Sequence, residues 1–168
     1  KCMGLGYPGG PILSKLARLG QKDAVALPRP MLKADTLNMS FSGLKTAVRQ
    51  FWQQCDQTDQ DRADLAASFQ QAVIDVLVQR CMRALAQTQC SQLVLAGGVS
   101  ANFALRQALE KECQSHAMRV FYPQPMFCTD NGAMVAYAGY ERYRRGHQQT
   151  QALFQVRPRW PLDDIGQL

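Results

Sequence analysis

The chain has 168 residues, 46% of them apolar, and a formal net charge of +6 at pH 7. That is enough for one globular domain or part of a larger one, and no apolar run reaches the roughly 20 residues a membrane-spanning helix needs. Six cysteines with no Cys-x-x-Cys spacing read as reduced cytosolic thiols, and two unpaired histidines, His116 and His147, read as surface residues; the pattern argues against a disulfide frame and against a self-contained zinc site. The basic balance is compatible with nucleic acid or another polyanion. The opening Lys1-Cys2-Met3-Gly4 carries no secretory leader and reads as the interior of a longer protein.

In chain order, Tyr7-Pro8-Gly9-Gly10-Pro11 reads as a turn, with Pro11 suited to the first position of a helix. Such a turn is either punctuation or a backbone surface against which a flat ligand can lie. Ile12, Leu13, Leu16, Ala17 and Leu19 predict a short amphipathic helix stopped at Gly20. Gln21 to Leu37 holds Pro28 and Pro30 and predicts a loop, with a short extended piece over Ala24–Leu27. Asn38 to Phe41 alternates like a strand, and a helix is expected over Leu44–Gln54. Ser42, Gly43, Lys45 and Thr46 form a corner able to face a phosphate or substrate, although the Walker A spacing is missing and Lys45 also fits a solvated helix position. After a polar connection, Asp61–Gln87 predicts a long core-covering helix, with Leu65, Phe69, Ala72, Val73, Val76, Leu77, Arg80, Cys81 and Ala84 near one face.

The next stretch, Leu93-Val94-Leu95-Ala96-Gly97-Gly98-Val99-Ser100-Ala101-Asn102, reads as a buried strand, a tight turn and a helix start. Gly97 and Gly98 permit positive φ and close approach. Ser100 or Asn102 can cap the helix that follows, and N–H groups at such an end favour an anion. An ordinary corner between strand and helix fits the spacing equally well. Arg119–Tyr122 predicts a short strand ended by Pro123 and Pro125. Phe127-Cys128-Thr129-Asp130-Asn131-Gly132-Ala133-Met134 opens a last helix through Tyr137, Tyr140 and Tyr143. Thr129 or Asp130 can cap it, or Asp130 can serve as a carboxylate metal ligand facing the crevice of Gly97-Gly98. Arg142, Arg144 and Arg145 complement the dipole of that helix. The tail Arg157-Pro158-Arg159-Trp160-Pro161 is either docked or able to touch RNA. Alternating strands and helices predict an α/β layer with ligands at the carboxyl ends of the strands.

Four stretches, Tyr7–Pro11, Phe41–Thr46, Ala96–Asn102 and Phe127–Met134, stand in the order and spacing of the TsaD family, and Val156–Pro161 resembles the C-terminal signature of its bacterial members. These are the tRNA N6-adenosine threonylcarbamoyltransferases, formerly described as O-sialoglycoprotein endopeptidases. The resemblance covers nearly the whole chain. It implies that residues 1–168 are the C-terminal half of an actin-like, Hsp70-like ATPase (ASKHA) fold of α/β class, without the N-terminal half. It implies transfer of threonylcarbamoyl from threonylcarbamoyl-AMP to N6 of adenosine 37 in tRNAs that read codons starting with A. On the same ground, Gly10 and Asn102 contact the adenylate, Gly97 and Gly98 form the phosphate-side turn, and Ser42 and Lys45 lie near the site. Asp130 becomes a ligand to Fe2+ or Zn2+. The implied nucleotide ligand is ATP or threonylcarbamoyl-AMP, the latter delivered by its synthase. The implied partners are tRNA, TsaB and TsaE, in the cytoplasm and without a membrane.

The family's paired metal-binding histidines and an Asp that helps hold the ribose belong to the N-terminal half, and His116 and His147 do not match them. This chain alone is therefore expected to bind metal weakly and to be inactive. No Ser or Cys is read as sitting beside a plausible base, so no covalent intermediate is expected. An actin-like regulatory module that binds ATP without transfer chemistry is the alternative, and a metallo-endopeptidase is disfavoured because no zinc-protease helix motif is present.

Overall fold

A computed structural model describes residues 3–146 together with Pro158, Arg159 and Pro161. His147 and most of the Val156–Pro161 signature lie outside the described residues. The chain divides into two compact units, Lys1–Cys128 and Thr129–Leu168.

The first unit is built on one long helix. Its elements in chain order are α1 (Gly9–Leu16), α2 (Ser42–Gln54), α3 (Asp59–Thr88), β1 (Gln92–Val94), a 3-10 turn at Gly98–Ala101, α4 (Phe103–Ser115), β2 (Arg119–Phe121) and a 3-10 turn at Pro125–Phe127. The architecture is a helix-rich α/β mixture with a small parallel sheet. α3 is 30 residues long, about 45 Å at 1.5 Å per residue. Thr58 caps it with a capping box: its hydroxyl accepts the Asp61 N–H at 3.1 Å, and its own N–H donates back to the Asp61 carboxylate at 3.0 Å.

Two apolar clusters share α3. Its N-terminal half, through Leu65, Ala66 and Ala72, packs with Val25, Leu27, Leu44, Val48 and Trp52. Ile74 on its C-terminal half packs with Leu105 and Leu109 of α4, and Leu93 and Leu95 close over that cluster. β1 and β2 run parallel in the register Gln92↔Arg119, Leu93↔Val120, Val94↔Phe121, with α4 as the crossover.

Several expectations about the first 46 residues need correction. α1 begins at Gly9, so Gly9 and Gly10 are its first turn and Pro11 stands third. A proline is tolerated there because the first four helical N–H groups have no partner within the helix. Neither Ala24–Leu27 nor Asn38–Phe41 forms a strand, and α2 starts two residues early, at Ser42.

In place of a strand, the segment from Gly20 to Thr36 is laid along α3 and held by its side chains. The Gln21 N–H donates to the Asp64 carboxylate at 2.7 Å, and the Val25 N–H donates to the Ser68 hydroxyl at 3.1 Å. Arg29 pairs with Asp75 at 2.9 Å. Arg80, 3% exposed, donates to the Ala34 and Thr36 carbonyls at 3.0 and 2.5 Å and to the Met31 carbonyl. Gly20 is where this strap meets the helix. It does not stop α1 as expected, since that helix ends at Leu16; a Cβ there would lie 2.1 Å from the Ala63 carbonyl oxygen, so close approach to α3 requires the glycine.

The second unit contains α5 (Gly132–Arg144). Its cap is Asn131, whose Oδ1 accepts the Met134 N–H at 2.9 Å. Neither Thr129 nor Asp130 caps it. Among the described residues, no helix is long and apolar enough to cross a membrane.

Candidate functional site

Two of the sequence motifs meet at a cavity of about 520 Å³ in the first unit. Gly9, at the head of α1, and Ser42 and Lys45, in the first turn of α2, line it together with Leu5, Leu13, Phe41, Val48 and Phe69. The wall is mostly apolar, with Ser42 and Lys45 as its polar groups. Gly10 is exposed, and a Cβ on it would meet nothing within 4 Å. Its lack of a side chain is therefore free to serve something outside the fold.

The third motif is a turn with a fixed interior and an open rim. Gly97 has φ +82°, a left-handed value that suits glycine, and nothing lies within 4 Å of where its Cβ would be. Gly97 and Gly98 are exposed. Ser100 turns inward instead: it is 2% exposed, and its hydroxyl donates to the Gly97 carbonyl at 2.7 Å. The helix cap is Asn102, whose Oδ1 accepts the Leu105 N–H at 3.0 Å. Its Nδ2 donates to Oε1 of Gln70 at 2.8 Å. Gln70 follows Phe69 on α3, so adjacent residues of one helix reach the first cavity and the Asn102 turn. Three of the four motifs are thereby gathered along α3.

The sequence did not single out Arg106. It is 9% exposed; its Nε donates to the Ser100 carbonyl at 2.5 Å and its Nη2 to the Pro123 carbonyl at 3.0 Å and the Cys128 Sγ at 3.1 Å. Its guanidinium stacks 4.1 Å from the centre of the Tyr122 ring. The Tyr122 hydroxyl donates to Glu110, and that hydrogen bond to the carboxylate pushes the phenol above its ordinary range. The available signal was spacing: with Leu105, Leu109 and Cys113, Arg106 falls on the buried side of α4.

A serine and a histidine do meet, against the sequence expectation, at the end of α4. Ser115 Oγ lies 3.0 Å from His116 Nδ1. The Ser115 hydroxyl already donates to the Glu112 carbonyl at 2.8 Å, in an exposed position, about 20 Å along α4 from Asn102. This pair closes a helix end and activates no nucleophile.

Asp130 belongs to the second unit, where it is exposed, with no side-chain partner among the described residues. No group of three or more His, Cys, Asp or Glu side chains among the described residues is arranged to hold a metal ion. One carboxylate falls short of the three or four protein ligands that zinc takes, so these residues do not by themselves fit a resident iron or zinc.

A family model described as TsaD, tRNA N6-adenosine threonylcarbamoyltransferase, matches residues 1–137, a span that holds all four motifs and stops short of the tail. With that match over most of its 168 residues, the chain belongs to the TsaD family, a family of transferases in tRNA processing.

Proposed function

We propose that this chain carries the adenylate-binding side of a tRNA N6-adenosine threonylcarbamoyltransferase and forms the C-terminal half of an actin-like ASKHA fold. The observation that carries this reading is the gathering of the Pro-Gly-Gly, Ser-Gly-Leu-Lys and Gly-Gly-Val-Ser-Ala-Asn motifs along the Phe69-Gln70 stretch of α3. Family membership supports transfer chemistry on tRNA.

In the reaction, the N6 amine of the tRNA adenosine attacks the carbamoyl carbon of threonylcarbamoyl-AMP. The new N–C bond forms as the bond from that carbon to the phosphate oxygen breaks, AMP departs, and the amine proton passes to solvent or to the released phosphate. The contribution of this chain is to bind and orient. The exposed Gly97-Gly98 backbone offers N–H groups to the phosphate, where an open turn at a helix start suits an anion. Asn102 keeps one Nδ2 hydrogen beyond that given to Gln70, and offers it to the adenylate. Gly10 gives a flat surface without a Cβ, and Ser42 and Lys45 flank the cavity beside it. Fixing the threonylcarbamoyl donor in this way lowers the entropic part of the barrier. tRNA, TsaB, TsaE and the synthase that supplies threonylcarbamoyl-AMP complete the proposed system, in the cytoplasm.

The test is threonylcarbamoyladenosine in tRNA, measured by LC–MS with the intact natural protein, TsaB, TsaE, ATP and the synthase. Modified nucleoside is expected from wild type. Asp130 would be this chain's single ligand to a metal otherwise held by the N-terminal half; on that proposal Asp130→Ala is expected to melt like wild type, since Asn131 holds the cap, and to lose at least about tenfold in rate, roughly 1.4 kcal/mol. Product at the wild-type rate from Asp130→Ala would leave that carboxylate without a role. ATP binding without any product from wild type would favour the regulatory module instead.

A further inference from the structure

Arg106 is a buried cation with no carboxylate paired to it among the described residues. Its donors go to two carbonyls and a thiol, on two separate segments: Ser100 in the Gly97–Asn102 turn, and Pro123 and Cys128 in the segment after β2. A strut that only filled space would do better as an apolar side chain, because a buried charge without a counter-charge is costly. Three features offset that cost here: the fork of donors, the stacked Tyr122 ring, and an open glycine turn whose interior carbonyl the guanidinium grips.

We propose that Arg106 is a positioning residue for the anion-binding turn: it locks the Gly97–Asn102 backbone to the Pro123–Cys128 segment and places a positive charge behind the turn, with the Glu110 carboxylate kept across the Tyr122 ring, on its hydroxyl. An anion on the rim then meets N–H groups already ordered and a field of the right sign. The inference rests on the ligand role proposed for this turn, and it adds a residue that touches no ligand. The planar fork is needed for the lock, since a Lys ammonium cannot span Ser100 and Pro123 together. The charge alone is enough for the field.

Those two contributions separate in Arg106→Lys and Arg106→Met, made in the intact natural protein. AMP is the probe, titrated calorimetrically, and hydrogen exchange is followed at the Ser100 and Asn102 amides, which bond the Gly97 and Val99 carbonyls at 3.0 Å each. Arg106→Met is expected to weaken AMP by at least about tenfold and to speed exchange at both amides by a similar factor, with α2 amides unchanged. Arg106→Lys is expected to recover part of the AMP affinity and none of the protection. If Arg106→Met does not fold, the Lys variant alone decides the matter. Protection and AMP affinity at wild-type levels in a variant that merely melts lower would reduce Arg106 to a strut. Wild type that binds AMP but makes no modified nucleoside would overturn the transferase reading and leave Arg106 standing; wild type that takes up no AMP would overturn both.

Discussion

Asn102 has two jobs that one substitution separates. Its Oδ1 caps α4 through the Leu105 N–H at 3.0 Å, and its Nδ2 gives one hydrogen to Gln70 at 2.8 Å. Asn102→Asp keeps the cap, because Asp and Asn are equivalent N-caps and a carboxylate at a helix start gains about 0.3–1 kcal/mol from the dipole. The Gln70 amide can turn over and donate to the new carboxylate, so that tie survives as well. Stability should change by no more than about 1 kcal/mol, a melting shift within about 4 °C. The ligand side responds differently. A donor to an anionic adenylate becomes an anionic acceptor, which removes a charge-assisted hydrogen bond of about 1.5–3 kcal/mol and adds repulsion. The expected loss in kcat/KM is about 10- to 150-fold. Initial rates of threonylcarbamoyladenosine formation, paired with melting curves, provide the assay. Asn102→Ala serves as the contrast, because it loses the cap too and should cost about 1 kcal/mol or more of stability. An Asn102→Asp protein that melts normally and turns over like wild type would refute the reasoning and leave Asn102 a cap alone.

Gly20→Ala is expected to destabilise by at least about 3 kcal/mol, since the new methyl meets Ala63 and Asp64 backbone atoms at 2.1–2.6 Å and must push the strap off α3; a melting temperature within a degree of wild type would contradict this packing. Burial, and then the charge of Cys113, push the Cys81 thiol up, while burial and then Glu112 push up Cys113. The folded chain thus holds both thiols neutral where the unfolded chain begins to ionise. Their contribution is complete below the unfolded thiol pKa and is lost as pH rises above about 8.5 toward the raised folded values. Melting temperatures measured under reducing conditions should fall across that range. Cys81→Ala should flatten the fall, and an unchanged slope would count against it.

What the sequence conveyed depended on whether local pattern and tertiary role coincide. The apolar steps of three and four through Leu65, Ala72 and Val76 foretold α3 because that helix buries them. α4 was legible for the same reason, whereas the stretch read as a buried strand forms a β1 that is covered on one side only: Leu93 packs against the cluster of α3 and α4 while Val94 is 73% exposed, and in β2 Phe121 is likewise exposed. Ala24–Leu27 misled in an instructive way. Val25 and Leu27 do point into the core while their neighbours are exposed, so the period of two is real, but it records burial against a helix, with no strand alongside. Arg80 sat within the predicted apolar stripe, and nothing local says that a cation there will collect the carbonyls of a loop more than forty positions earlier. The cap of α5 fell one residue from its expected place, within the ordinary slack of helix boundaries. The Ala96–Asn102 motif was legible as a turn; the division of labour inside it, with Ser100 inward and Asn102 tied to Gln70, came only from packing.

The strap along α3 divides the burden of sequence unevenly between its two sides. Asp64, Ser68, Arg80 and Arg83 take hold of main-chain atoms of Gln21, Val25, Met31, Ala34 and Thr36, groups that nearly every amino acid possesses. Most letters of the strap can therefore change without the grip noticing, whereas each gripping letter on the helix is irreplaceable by its neighbours. In a saturation mutagenesis map this region would show a tolerant row at 31–36 facing intolerant columns at 64, 68 and 80. The exceptions on the strap side would be Gly20, Val25, Leu27 and Arg29, whose own atoms, or lack of them, make the contact.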